Sequence, residues 1–343
     1  MVDKRQLLGM TLEELKGVAS EVSLPAYAAK QMADWIYKKK ITRISEMTNI
    51  AVAKRALLED SFEIGVYPPS EYQKSKDGTI KYLYAAGPGR FVESVYIPTD
   101  DRATLCVSSQ VGCKMNCLFC MTGKQGFTAN LTANQILNQI QSLPENDSLT
   151  NIVFMGMGEP LLNYEQVLRA IERITAQDGL AMSPYRITVS TAGIPEKIRQ
   201  LADDGVRFNL ALSLHAAKET TRTFLMPVNK AYPLSEIAGS LKYFVEKTGT
   251  RPTFEYLLLK DINDSLEDAK ALALYCRQFP IKINIIEYNN VEGSGFHHSP
   301  DKNRDAFIRF LEGCNMVVNV RRSKGKDIDA ACGQLAGKQE SNL

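Results

Sequence analysis

From residue 104 onward the sequence alternates between two kinds of segment, and that alternation constrains the fold more than any other feature. Runs at 104–109, 151–155, 186–190, 207–214, 253–259 and 282–288 read as strands. Between them, near 132–143, 163–176, 195–204, 235–247 and 265–279, apolar residues recur at helical spacing. Six strand–helix units of this length predict an α/β architecture around a parallel sheet. A further helix over 301–313 and a strand over 316–322 extend it. The units do not repeat as sequence. What recurs is the position of the polar residues: Gly158-Glu159, Ser190-Thr191, Ser213 to His215 and Asn289 all fall at strand ends. In α/β barrels the carboxyl ends of the strands form one rim, where active sites are built, so these residues are expected to converge.

The first 65 residues read differently. Thr11 and Glu14 make a capping-box pattern ahead of Leu12 and Leu15. Met32, Ile36 and Tyr37 follow Pro25 at helical spacing, and 51–62 reads as another helix. We assign 1–65 to a small helical accessory domain (an RNA-binding one on the resemblance given below), 66–100 to a β-meander linker, and 101–343 to the barrel and a C-terminal segment. In the meander, 79–86 and 90–98 alternate as strands, with Asp77-Gly78 as a two-residue hairpin turn. Phe91, Glu93, Val95 and Ile97 share one strand face, which puts a carboxylate in an apolar row.

The 343 residues carry a net charge of +2, too little by itself to mark a nucleic-acid binder, so any RNA contact must rest on local groups of cations. No secretory leader or membrane-length apolar run is visible, and a cytoplasmic, monomeric protein without membrane contact is expected. Seven cysteines, an odd number, argue against a structural disulfide framework.

Four of those cysteines lie between 106 and 120. Cys113, Cys117 and Cys120 form C-x-x-x-C-x-x-C just after the first barrel strand. Three thiolates within eight residues can wrap one [4Fe–4S] cube, which normally takes four. One iron is then left open to chelate the amino and carboxylate groups of S-adenosylmethionine (SAM). Zinc is the competing reading; a structural zinc site would need a fourth ligand, and the nearest spare thiol is Cys106.

The segment GCKMNCLFCMTGKQGF (112–127) resembles the signature of the radical SAM superfamily. The chain is similar, over nearly its whole length, to the 23S rRNA adenine(2503)-carbon-2 methyltransferases, which also modify adenine 37 of some tRNAs. VESVYIP (92–98), CVSSQVGC (106–113), FMGMGEP (154–160), STAG (190–193), SLHA (213–216), LKDIND (259–264) and DIDAACGQL (327–335) carry the likeness. Asn290 departs from it, standing where a proline is expected.

The resemblance implies a radical SAM partial (β/α)6 barrel and two SAM molecules per turnover. The first would methylate Cys332. The second would yield a deoxyadenosyl radical that abstracts hydrogen from the S-methyl group, and the resulting carbon radical adds to the base. Carbon 2 lies between two ring nitrogens and is too electron-poor to attack a methyl sulfonium directly, which makes such a route necessary. Cys106 would then resolve the covalent adduct through a transient disulfide with Cys332. Glu93 is the candidate base, its apolar neighbours expected to raise its pKa by desolvation, with pairing to a nearby Arg or Lys as the alternative. Gly158, Glu159, Ser190, Ser213, Leu214, His215 and Asn289 would bind SAM. The implied partners are 23S rRNA, tRNA and an electron donor such as flavodoxin.

Arg321, Arg322, Lys324 and Lys326 ahead of Cys332, with Lys114, Lys124 and Gln125 beside the cluster loop, are candidate RNA contacts. A solvated face is the plainer reading of such charges. Cys276 and Cys314 read as packing residues, and His297 and His298 as solvated loop residues. Three other functions remain open: methylation of carbon 8 of the same adenine, radical chemistry on a small molecule, and a binding protein with a structural metal.

Overall fold

The computed structural model describes residues 4–291 and 293–337. It divides into two compact units. The first comprises residues 1–70, 131–148 and 164–183, and the second residues 71–130, 149–163 and 184–343. The first unit therefore takes in two helical stretches from the alternating region as well as the N-terminal segment.

In the first unit, β1 (Arg5–Gln6) pairs in parallel with β2 (Phe62–Glu63). The helix Leu12–Glu21 opens on the capping box of Thr11 and Glu14. Leu15, Ala19, Met32, Ile36, Leu58 and Phe62 are buried together with Tyr37, whose hydroxyl accepts from the Gly9 N–H at 2.9 Å and donates to the Met10 carbonyl at 2.8 Å. A π-helical turn at Asp34–Lys38 continues the helix Ala28–Ala33. The helices Ala133–Gln141 and Tyr164–Thr175 belong to this unit, and Asn134 Nδ2 donates to the carbonyls of Leu8 and Gly65 at 3.2 and 3.0 Å.

The second unit is organised by one ten-stranded sheet. Three strands, β3 (Glu71–Lys74), β4 (Ile80–Ala85) and β5 (Phe91–Pro98), pair antiparallel, and β5 pairs antiparallel with β6 (Ala103–Cys106). A separate small hairpin joins β7 (Gln110–Gly112) and β8 (Phe127–Asn130). From β6 the pairing is parallel through β9 (Asn151–Phe154), β10 (Ile187–Thr191), β11 (Asn209–Ser213), β12 (Thr253–Leu258), β13 (Lys282–Glu287) and β14 (Val318–Arg321). The meander thus continues the barrel sheet through β5 and β6 rather than standing apart from it. Helices Pro195–Asp203 and Leu234–Thr248 bury Ile198, Leu201, Ile237, Leu241 and Phe244. Among the described residues no helix is long and apolar enough to cross a membrane.

The register lines up corresponding positions: Leu105 faces Ile152, and Ile152 faces Ile187. Parallel neighbours in register end together, so the residues just past β9, β10, β11 and β13 come out on one side. The turn between β3 and β4 is longer than the expected two-residue turn. Lys74 pairs with Ile80, leaving five residues between them, and Gly78 takes φ +87°. That longer turn has a consequence for the C-terminal segment. Ser75 Oγ donates to Asp327 at 2.5 Å, and the Gly325 N–H donates to Asp77 at 3.0 Å.

This clamp fixes the start of the stretch leading to Cys332, and its chemistry is testable. Gly325 has φ +64°, and a Cβ there would lie 2.8 Å from Ala330 Cβ and 2.9 Å from Thr79 Cγ2. Gly325→Ala is expected to cost about 1–3 kcal/mol by chemical denaturation. Partial burial works to raise the Asp77 pKa, but the N–H of Gly325 and the Thr79 and Ser75 groups outweigh it, leaving the carboxyl lowered to about 2. A depressed carboxyl stabilises the fold above its unfolded pKa, and that stabilisation is lost as pH falls through the folded value. Acid titration of wild type against Asp77→Asn should therefore show the two stabilities converging between about pH 4 and 2.

Candidate active site at the carboxyl ends of the strands

Cys113, Cys117 and Cys120 follow β7 directly and are free thiols. They share the wall of a cavity of about 160 Å³ with Glu159, Ser190, Ser213, His215 and Cys332. An apolar layer of Met115, Phe119, Leu225, Met226, Leu257 and Ile286 backs the loop. Burial pushes Cys113 up to about 12 and raises Cys117 and Cys120 as well. Thiols in such surroundings are neutral unless a cationic centre binds them. Among the described residues no three His, Cys, Asp or Glu side chains are arranged to hold a single metal ion. Three soft sulfur donors on one cavity wall fit a polynuclear iron–sulfur group, for which sulfur is the usual ligand.

The rim residues meet around this cavity. Gly158 has φ +101°, and a Cβ there would lie 2.5 Å from Gln110 Cβ, so the position takes only glycine. Glu159 is 3% exposed; its Oε2 accepts from the Ala192 N–H at 2.7 Å and its Oε1 from the Leu161 N–H at 3.1 Å. Burial raises its pKa against these two bonds. The Thr191 side chain makes a third bond to this carboxylate, and a two-oxygen acceptor still has capacity for an ammonium donor. The Ser190 and Ser213 hydroxyls are 3.1 Å apart.

His215 sits at φ +55°, an unusual conformation for a side-chain-bearing residue, and three contacts hold it there. Its N–H donates to the Glu255 carbonyl at 3.2 Å, its carbonyl accepts from Asn263 Nδ2 at 2.6 Å, and its Nδ1 accepts from the Leu257 N–H at 3.0 Å. Burial, then the nearby Arg222, lowers its pKa to about 3. The ring is neutral, and with Nδ1 accepting, its proton is on Nε2. Leu214 is fully buried, its N–H donating to the Glu255 carbonyl at 3.0 Å and its carbonyl accepting from Arg222 Nε at 3.2 Å. Asn289 Nδ2 lies 3.4 Å from the Cys332 carbonyl, while its buried Oδ1 has no hydrogen-bond partner. An orphaned acceptor beside the cavity fits a donor group on a bound cofactor.

Cys332 is solvent-exposed and also borders a second cavity of about 170 Å³, whose wall includes Cys106 and Arg321. Burial first, then Cys332, pushes Cys106 up to about 12, with Arg321 opposing. Desolvation by the cavity walls raises Cys332, again opposed by Arg321.

Glu93 does not stand in the apolar setting expected of it. It is 4% exposed, but its Oε1 is 3.6 Å from Lys81 Nζ and its Oε2 accepts from the Ala336 N–H at 2.7 Å. Lys81 comes from β4, the strand antiparallel to β5, and offers a counter-charge that the periodicity of β5 alone could not reveal. Glu93 lines a third cavity, of about 460 Å³, with Lys81, Met121, Asn290 and Gln334. Asn290, at the expected proline, accepts from Gln334 Nε2 through its carbonyl at 3.1 Å.

The expected RNA cations disperse. Arg321 turns into the cavity, its Nη1 3.3 Å from Glu255, and Lys326 Nζ is 3.4 Å from Glu287. Arg322 and Lys324 are exposed. Lys114 lies over the Phe127 ring, and Gln125 donates to the Ala336 carbonyl. His297 and His298 are exposed, Cys276 is buried, and Cys314 ends the helix Asp301–Gly313. Sequence reasoning missed Glu255, Arg321 as a cavity residue, Asn263 and Arg222. Asn263 lay within LKDIND, whose likeness carried no role by itself.

The radical SAM superfamily model matches residues 107–273, and the model described as the ribosomal RNA large subunit methyltransferase N-terminal domain matches residues 5–64. A protein of Parabacteroides distasonis, described as a probable dual-specificity RNA methyltransferase RlmN, is 66% identical over 98% of each chain. One of Bacteroides thetaiotaomicron with the same description is 48% identical over 100% of this chain and 99% of its own. The crystal structure of a radical SAM methyltransferase from Sphaerobacter thermophilus superposes with a TM-score of 0.94 at 36% identity, covering 97% of this chain and all of that one.

On anaerobic reconstitution with iron and sulfide, Cys113→Ser, Cys117→Ser and Cys120→Ser should each lose most of the visible iron–sulfur absorbance. Cys314→Ser should keep it. The measurement is iron content and absorbance per folded chain.

Proposed function

The chain belongs to the RlmN-type radical SAM rRNA methyltransferase family, and from that premise we propose that it methylates carbon 2 of adenine 2503 in 23S rRNA and of adenine 37 in some tRNAs. The observation that carries this reading is the position of Cys332, on the wall of the three-cysteine cavity and of the cavity that holds Cys106. One sulfur can thus face a methyl donor and a second thiol without the chain being rebuilt.

Cys113, Cys117 and Cys120 would hold a [4Fe–4S] cluster with one open iron. When bound, that cluster supplies the electron that cleaves SAM and yields the deoxyadenosyl radical. Gly158 lets the main chain pack closely on Gln110 at the cavity wall, and Glu159 and the Ser190–Ser213 pair offer polar contacts to SAM. His215 presents a neutral Nε2–H donor, and Asn289 Oδ1 accepts. Cys332 accepts the first methyl group on its sulfur, with Arg321 favouring its thiolate. It then carries that carbon to the base. The base has to be extruded from its strand to reach Cys332. Glu93 takes the carbon-2 proton, its carboxylate held by Lys81 and the Ala336 N–H. Cys106 closes a disulfide with Cys332 and frees the methylated base. Two SAM molecules are consumed; an external donor such as flavodoxin supplies the electron for SAM cleavage, the adduct gives up one electron and one proton as the disulfide closes, and a two-electron thiol reductant reopens the Cys106–Cys332 disulfide before the next turnover.

Two variants and one product analysis test this order. Cys332→Ala should abolish product. Cys106→Ala should instead accumulate a covalent protein–RNA adduct, seen as a band resistant to denaturant and lost with nuclease. Mass spectrometry of digested rRNA should find 2-methyladenine; 8-methyladenine alone would reject the assignment, and full product from Cys332→Ala would reject the methyl-cysteine route.

A further inference from the structure

Arg222 is the largest fully buried side chain in the second unit, at 0% exposure. A guanidinium does not lose its charge in proteins, and a buried charge needs a countercharge. Among the described residues none is paired with it: its partners are the carbonyls of Leu214 at 3.2 Å, Ala192 at 2.6 Å and Ser213 at 3.4 Å, and Asn229 Oδ1 at 2.6 Å. The nearest carboxylate route is indirect, since Asn229 Nδ2 donates to the exposed Glu219 at 2.6 Å. The positive charge is therefore fixed and only relayed toward an acid.

Arg222 is bonded to the wall of the cysteine cavity: Ala192 and Ser213, whose carbonyls it holds, line that cavity together with Cys113, Cys117 and Cys120. Arg222 lies on the helix Glu219–Leu225, whose last carbonyl, that of Leu225, accepts from the Leu118 N–H at 3.0 Å. Cys117 packs against the apolar layer that includes Leu225 and Met226. Three thiolates around a [4Fe–4S] core leave the assembly negative, and one-electron reduction adds a further negative charge.

We propose that Arg222 is a positioning residue whose unpaired buried charge is the countercharge of the three-cysteine cluster, holding its reduction potential up. The inference rests on the cluster reading above. A cation fixed nearby in a low dielectric stabilises the reduced state more than the oxidised one. Its three carbonyl bonds also join the STAG and SLHA segments, so charge and structure must be separated by experiment.

The test is a redox titration of anaerobically reconstituted holoprotein without SAM, following the signal of the reduced cubane by electron paramagnetic resonance. Arg222→Met should shift the midpoint to more negative potential, and Arg222→Lys, which keeps the charge, should restore it close to wild type. Asn229→Asp leaves Arg222 and its carbonyl bonds in place and sets a carboxylate against the guanidinium. It should lower the midpoint too, and it decides the matter if Arg222→Met does not fold. An unchanged midpoint in Asn229→Asp, or a fall in Arg222→Lys equal to that in Arg222→Met, would overturn the proposal. A wild-type protein with no cubane signal would instead overturn the cluster reading beneath it.

Discussion

Burial of sulfur is the constraint on which the site depends. Three thiols on one cavity wall are driven toward the neutral form by their surroundings, Cys106 close by is raised in the same way, and Cys332 is the solvent-exposed member of the group. Such a group is poor as a set of nucleophiles or as a disulfide scaffold. It becomes coherent when a cationic iron–sulfur core takes three of the sulfurs and an adjacent cation, Arg321, tempers the other two. The sheet supplies the means. Parallel strands in register end together, and β6 and β9 to β14 each bring a residue to the same cavities.

The polar groups around those cavities are held by backbone more than by one another. Glu159 is fixed by two N–H groups, His215 by the Glu255 carbonyl, the Leu257 N–H and Asn263, and Glu93 by the Ala336 N–H as well as Lys81. Backbone partners do not swing away as exposed ion pairs do, so the groups are pre-set for a ligand. The C-terminal segment is secured in the same manner, by Asp77 and Asp327 at the β3–β4 turn. The role proposed for Cys332, serving two partners, calls for that restraint, because a loop free to wander would leave it aligned with neither.

Much of this was legible in the sequence, for identifiable reasons. Strand–helix alternation is a local signal, and the elements from 104 onward fall close to where it placed them. The capping boxes at Thr11 and Thr132 open helices as their spacing predicted. The cysteine spacing and the convergence of strand ends were readable because both follow from chain direction. What stayed hidden is what depends on pairing between distant segments. The pattern of β5 showed Glu93 among apolar neighbours but could not show Lys81 across the strand pair. A basic run ahead of Cys332 looked like one surface, yet Arg321 turns inward to Glu255 and Lys326 pairs with Glu287. The hairpin at Asp77-Gly78 was read as two residues because the signal names the turn, not the register beyond it. The short strands β7 and β8 and the helix Glu219–Leu225 are too brief for periodicity to announce them.

The central claim is that three cysteines hold a cubane with one iron left for SAM. Its most direct test is Mössbauer spectroscopy of iron-57 reconstituted protein, recorded with and without SAM. The account predicts one [4Fe–4S] centre in which a single iron changes its parameters when SAM is added, while the other three do not. Four iron sites that all ignore SAM, or protein that takes up one tetrahedral zinc and no cluster, would contradict it.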